Sequence, residues 1–434
     1  MKQAITIFLG GLVSLNAMAA MPVYQPVGSA FTLGTMANKR ALSTSLANPA
    51  SPYLMTRLQS FRAGYLGPAG FGYEMGEISN LTDRVDELED ILSNSDYRSQ
   101  AEVDDAIASA NSIINDVADT AYIKLSGSSQ IPFMPLIYKT RGNGAFMLDA
   151  SASFVGRANI LADEISYTLS GTDFSLDSDT SLYVQSATDL RLGLGYSQVF
   201  GRFVSGALIL GAKANFHQIS LGRDVSVLVD DSEDSGGAFS DGLFDSQKST
   251  SGVGLDLGAI WVSDYYQLGA TLANINEPEF DYESLGNCSG LTGSNLISCE
   301  AEVSFASAGK LKLVDSYKME TQLTLEGAVV SRDRRLSLAG SFDVNGVDDP
   351  VGDAYQWQTV SMSFFSDNVV VPGVRLGYRK NTAGSKLSYL TAGLTLFQRL
   401  DVDVAYGLDD LRGDGGSSSL PRSFYLSMGY GSAF

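Results

Sequence analysis

Arg399-Leu400-Asp401-Val402-Asp403-Val404-Ala405-Tyr406 places Leu400, Val402, Val404 and Tyr406 on one parity and Arg399, Asp401, Asp403 and Ala405 on the other. Successive side chains of a strand point to opposite faces, so this stretch reads as a strand with one apolar and one ionised face. The pattern recurs. Leu190, Leu192, Leu194 and Tyr196 oppose Asp189, Arg191, Gly193 and Gly195. Val253, Leu255, Leu257, Ala259 and Trp261 oppose Gly254, Asp256 and Gly258, and Val374, Leu376 and Tyr378 oppose Arg375, Gly377 and Arg379. A soluble sandwich turns its apolar face inward. Here the second face is small or ionised and cannot form a dry core. It suits a wet or filled lumen, with the apolar face toward lipid.

Composition agrees. The 434 residues include 45 Gly, 20 Tyr and 21 Phe, and charged residues make up only 18%. There are 29 basic and 49 acidic residues, for a formal charge of −20, which excludes a nucleic-acid-binding surface because nothing would neutralise phosphates. One His and two Cys leave no His/Cys metal site and no ordinary Ser-His-Asp triad, so no cofactor, metal or enzymatic activity is expected. The lone His217 shares a parity with Lys213 and Asn215 and reads as a polar wall residue.

Counting back from the C-terminus gives strands at 421–434, 398–407, 386–396, 369–380, 355–366, 334–343, 319–330, 266–275, 251–262, 203–229, 184–199, 161–170, 144–155 and one within 59–75. Fourteen is an even number, as a bacterial barrel requires. Short connections such as Phe200-Gly201-Arg202, Ser263-Asp264-Tyr265 and Ser331-Arg332-Asp333 alternate with long ones, the pattern of periplasmic turns and extracellular loops. The segments 76–143, 171–183, 230–250 and 276–318 together carry −19 of the −20 charges, a solvated acidic rim facing lipopolysaccharide.

Within 76–143 the period changes. Ile78, Leu81, Val85, Leu88 and Leu92 recur at helical spacing, as do Val103, Ile107, Ala110, Ile114, Val117 and Ala121, with Ser99 and Glu102 forming a capping box. The expectation is an inserted αα-hairpin on the extracellular side. Cys288 and Cys299, in a Gly/Ser/Asn-rich loop of an exported chain, are expected to form a disulfide.

The termini place the chain in its compartment. Met1-Lys2-Gln3, the apolar run Ala4–Leu15 and Ala17-Met18-Ala19 read as a cleaved signal peptide over 1–19. At the other end Phe424, Leu426, Met428, Tyr430 and Phe434 share a parity, and Met428, Tyr430 and Phe434 resemble the signature read by the barrel-assembly machinery. The expected location is the outer membrane of a Gram-negative cell.

Tyr24 to Phe31, then Leu33-Gly34 and Ala47-Asn48-Pro49-Ala50, resemble the mature N-terminus of FadL-type barrels, the long-chain fatty acid transport and toluene-channel group. The helical insert, Val374 to Arg379 and Leu390 to Leu394 are similar to a sister group, the conjugal transfer TraF-like outer-membrane proteins. The thioredoxin-like TraF is a different protein, and no Cys-x-x-Cys motif is present. The resemblance implies fourteen strands and an N-terminal plug, here 20–58, turning at Asn48, Pro49 and Ala50, ahead of a barrel over 59–434. It implies passive passage of small hydrophobic molecules past the plug, with exit sideways through the wall. The alternative is a conjugation-linked envelope protein without transport. Luminal charges are expected at Asp149, Arg191, Lys213, Asp256, Glu326, Arg375, Arg379, Asp401 and Asp403. They are costly unless wet or paired, and a polar plug would supply partners.

Overall fold

Antiparallel segments hydrogen-bond in chain order around one sheet that closes on itself, the last pairing with the first. The computed structural model describes residues 28–56, 60–77, 84, 87–88, 90–91, 100–170, 173–228, 243, 247–410 and 421–433. The wall comprises β1 (Phe61–Met75), β2 in two pieces (Tyr122–Gln130 and Leu136–Lys139), β3 (Gly144–Leu161), β4 (Ser181–Phe203) and β5 (Gly206–Val227). It continues through β6 (Gln247–Val262), β7 (Tyr266–Ala273), β8 (Gln322–Val330), β9 (Leu336–Asp343) and β10 (Trp357–Phe364). β11 (Gly373–Asn381), β12 (Ser388–Leu396), β13 (Leu400–Gly407) and β14 (Ser423–Ala433) complete it. Both pieces of β2 pair with β1 and β3, so they are one interrupted strand, and the barrel has fourteen strands.

The pleat sorts the side chains as the alternation requires. Leu190, Leu192 and Leu194 are exposed outside, while Lys213, Asn215 and His217 on the adjacent strand are buried inside. Apolar-out and polar-in is the lipid-facing arrangement. Aromatic rings gather at the short-turn end: Phe203 lies 5.4 Å from Trp261 and Tyr65 lies 6.2 Å from Tyr430, forming an interfacial girdle. No described helix is long and apolar enough to cross a membrane.

Two expected elements are corrected. Residues 122–139 are wall, not helical insertion; of the insertion, one helix, Gln100–Thr120, is described, and most of the first helical run lies outside the described residues. Ser166–Ser170 is not a wall strand. It pairs with Asp173–Asp177 as a separate two-stranded unit. The two errors offset each other in the strand count. The expected turn at Phe200–Arg202 also moves: β4 runs through it and turns at Val204-Ser205. The signal peptide and Phe434 lie outside the described residues. Met428 is exposed on the outer face and pairs with Val402 and Ala69.

The wall is uneven in height. β4 and β5 have 23 and 22 residues, against eight or nine in β8–β13, so one side stands far taller than the other. Against that high side packs the loop 274–321. Its helix Ser294–Ser307 sets Ala301 and Phe305 against Tyr183 and Val225, and Cys288 is bonded to Cys299. Arg223 reaches into this loop and donates to the carbonyls of Lys312 (2.6 Å), Glu283 (3.0 Å) and Leu313 (3.2 Å). Lys124 holds the next loop through Asp349 (2.5 Å) and Asp353 (2.8 Å).

Toward the long-loop end these loops lay an apolar layer against the inside of the wall: Phe280, Tyr282, Tyr317, Val347 and Val351 pack on Val155, Ala187, Ile219 and Leu221. The luminal face is therefore polar only at mid-height, a correction to the expectation that it forms no dry core. Burial pushes the hydroxyls of Tyr282, Tyr317 and Tyr355 above the ordinary phenol value, and nearby carboxylates add to this. Their folded values exceed the unfolded one, so the stabilisation is complete below about pH 10 and is lost as pH rises further. In an absorbance titration these three should ionise only as the loop layer opens, behind the exposed tyrosines. A single transition for all 20 tyrosines near pH 10 would contradict the packing.

Candidate functional site

The described N-terminal segment, residues 28–56, runs inside the barrel. It is nearly all buried and folds into three short turns of helix, Ala30–Leu33, Leu42–Leu46 and Ser51–Met55. It is fastened to strands around the circumference. Gly28 N donates to Ser427 Oγ (2.7 Å) on β14 and Thr32 Oγ1 to Asp403 Oδ1 (2.6 Å) on β13. Gln267 on β7 donates to Ala37 O (3.2 Å), and Tyr53 N donates to Ser197 Oγ (2.9 Å) on β4. Arg62 on β1 donates to Lys39 O (2.6 Å). Toward the short-turn end, Tyr53, Leu54 and Met55 form an apolar cluster with Ile137, Met147, Ile209 and Ile260.

Asn48, Pro49 and Ala50 form a turn. Asn48 Oδ1 accepts from Ala50 N (2.9 Å) and Asn48 O from Ser51 N (2.9 Å), while Asn48 Nδ2 donates to Ala270 O (3.3 Å). The seat for this turn is made of glycine. Gly211 and Gly258 are direct cross-strand partners on the luminal face. A Cβ on Gly211 would lie 2.1 Å from Pro49 O, and one on Gly258 would lie 2.2 Å from Asn48 Oδ1.

The luminal charges fall into distinct groups. Asp149 is shared by Lys213 (2.8 Å) and Arg191 (3.4 Å). Asp256 accepts from Asn215 (2.6 Å) and from the Asn274 amide (2.9 Å). Arg375 is fully buried between Asp403 (2.7 Å) and Asp401 (3.3 Å), and also donates to Thr395 Oγ1. Glu326 is buried beside Thr35 and Asn48 of the N-terminal segment. Arg379 is stacked between Trp357 and Phe31. Glycines again make room: Cβ atoms on Gly193, Gly269 and Gly393 would strike Asp149, Glu326 and Asp403.

Three polar groups escaped sequence reading. Lys124 was placed in the insertion. Arg223 lies on the parity of Lys213 and His217, which was the signal that could have found it. Glu74 accepts from Tyr389 (2.8 Å) and Tyr425 (2.6 Å), a network no local pattern announces.

Between the N-terminal segment and the outer loop layer lies a cavity of about 140 Å³, bordered by Gly34, Thr35, Lys213, Asp256, Trp357 and Arg379. His217 Nδ1 is 2.9 Å from Asp189 Oδ2, but Nε2 has no hydrogen-bond partner among the described residues, so no hydroxyl completes a triad there. Among the described residues no three His, Cys, Asp or Glu side chains group to hold a metal.

Comparison with solved structures finds barrels of similar extent. The Pseudomonas putida toluene transporter TodX aligns with 96% of this chain and 100% of its own, at 11% identity and a TM-score of 0.48. A Pseudomonas aeruginosa FadL homologue aligns with 95% of this chain and 99% of its own, at 12% identity and a TM-score of 0.42. A search of curated proteins finds no match. The sequence matches a protein family over residues 45–343, which takes in the Asn48–Ala50 turn and the wall as far as β9, and on that match the chain belongs to the family described as "F plasmid transfer operon, TraF, protein".

Proposed function

We propose that the chain is a plugged outer-membrane channel of FadL-like type, admitting small hydrophobic molecules by passive diffusion past its N-terminal segment. The observation that carries the reading is the segment 28–56, which crosses the lumen on noncovalent contacts beside a cavity of about 140 Å³. A wall element could not be displaced without unzipping a ladder. This segment is held by a handful of side-chain hydrogen bonds, each worth about 0.5–1.5 kcal/mol net. Sideways exit would need movement at the break in β2, since Ile131 N–Ala150 O (2.8 Å) and Phe133 N–Tyr65 O (3.3 Å) now bridge it. In this reading residues 1–19 are removed on export, 20–58 form the plug, and the barrel contacts lipopolysaccharide and is inserted by the assembly machinery.

One observation favours the second reading, a structural protein of the conjugation apparatus. The mid-lumen charges are largely neutralised in place, as in Arg375 with Asp401 and Asp403. Entry of a lipophilic fluorescent probe into Gram-negative cells separates the two. Cells expressing the chain should take it up faster than cells lacking it, and collapse of the proton gradient should leave that difference unchanged. Equal rates would favour the structural reading.

A further inference from the structure

Arg379 differs from the other luminal cations. It is only 4% exposed, and the buried inward-facing ion pairs among the described residues use Lys124, Arg191, Lys213 and Arg375 instead. Its Nε has no hydrogen-bond partner among the described residues. The guanidinium is held by aromatic faces, 3.9 Å from the Trp357 centroid and 5.3 Å from that of Phe31 on the N-terminal segment. Such a sandwich fixes the plane and stabilises the charge, but it leaves the N–H edge without an acceptor. A buried carboxylate can take up a proton. A guanidinium cannot shed one in this pH range, so its charge persists. Asp343 and Glu74 act on it at a distance, but their hydrogen bonds among the described residues run to Thr324 and Trp357 and to Tyr389 and Tyr425, not to its N–H groups.

That side chain borders the cavity of about 140 Å³. The two carboxylates on the same cavity are already engaged. Asp343 accepts from Thr324 Oγ1 (2.7 Å) and Trp357 N (2.8 Å), and Asp256 from Asn215 and Asn274. Arg191 and Lys213, also on the cavity, share one carboxylate between them. The remaining border includes Leu46, Pro49 and Tyr355, which are apolar or aromatic.

We propose that this chamber binds a small organic carboxylate. Its two oxygens would lie on the N–H edge of Arg379, the geometry a guanidinium fork recognises. Its apolar body would lie against Tyr355 and the N-terminal segment. The size is restrictive: a cavity of about 150 Å³ accommodates benzene. A single ring or a short acid fits, and a long acyl chain does not. Binding here is independent of whether the barrel transports.

The test uses the purified full-length protein in detergent with Trp261→Phe, which leaves Trp357 as the one indole. Benzoate, benzamide and chloride are titrated at constant ionic strength while Trp357 fluorescence is read. Benzoate should give a saturable change, and benzamide and chloride should not. Arg379→Gln should weaken benzoate by about tenfold or more, the loss expected for a charge-assisted contact, and Arg379→Lys by less. If Arg379→Gln does not fold, the comparison of benzoate with benzamide decides by itself. No saturable response, or an equal response to benzamide, overturns the proposal. So does an equal response to chloride, which would make the chamber an inorganic-ion site. The readout is equilibrium binding, so a barrel that fails to conduct can still pass this test.

Discussion

Arg375→Ala should destabilise the barrel by about 3–5 kcal/mol, the cost of removing one partner from a buried ion pair. Arg375 and Asp403 are both fully buried, and the Asp401 side chain is 14% exposed. Removing the guanidinium leaves two carboxylates about one strand pleat apart without the cation that hydrogen-bonds to both. Thr32, whose hydroxyl donates to Asp403 at 2.6 Å, keeps its partner, so the N-terminal segment retains that anchor. Arg375→Lys keeps a charge but not the two-point contact that Nε (3.1 Å) and Nη2 (2.7 Å) make with Asp403, and should fall between. Arg375→Ala with Asp403→Asn should recover part of the loss, because one orphaned charge is gone. The measurement is the temperature at which the folded, fast-migrating form converts to the unfolded form in detergent gels. If Arg375→Ala lies within about 1 kcal/mol of the parent, the pair behaves like an exposed surface bridge and its burial is wrong.

Gly258→Val should displace the N-terminal segment and leave the wall intact. The colliding atoms are Asn48 Oδ1 and Ala50 N, at 2.2 Å and 2.9 Å from the added Cβ, and neither belongs to a long flexible chain. Gly211→Val meets Pro49 O and C at 2.1 Å and 2.3 Å and should do the same. The strand itself tolerates valine, which is a good strand residue. Gly195→Ala is the control, since its Cβ finds nothing nearer than 3.6 Å. The turn variants should conduct ions in planar bilayers well above the parent, and Gly195→Ala should not. Parent-like conductance from folded Gly211→Val and Gly258→Val would show that the turn is not what closes the lumen.

The wall was legible because lipid imposes a simple rule: one face apolar, the other not. Leu190 to Tyr196 and Leu400 to Tyr406 obey it plainly. β2 did not, since its outward residues include Gly127 and Ser129, and Ile131 to Pro135 interrupt it. Ser166–Ser170 alternates convincingly but finds its partner in Asp173–Asp177 rather than in the wall. Parity also named the luminal charges. It could not say that Arg375 is paired and Arg379 stacked, because those contacts run to other strands and to a segment more than three hundred residues earlier.

On the proposed reading the N-terminal segment closes a lumen that would otherwise conduct. Deleting residues 23–47 while keeping the export signal tests it most directly, read as single-channel conductance of the refolded protein in a planar bilayer. The expected result is a folded barrel that conducts ions far better than the parent. A correctly folded deletion with the same near-zero conductance would mean that the outer loops alone shut the lumen, and the plug reading would fail.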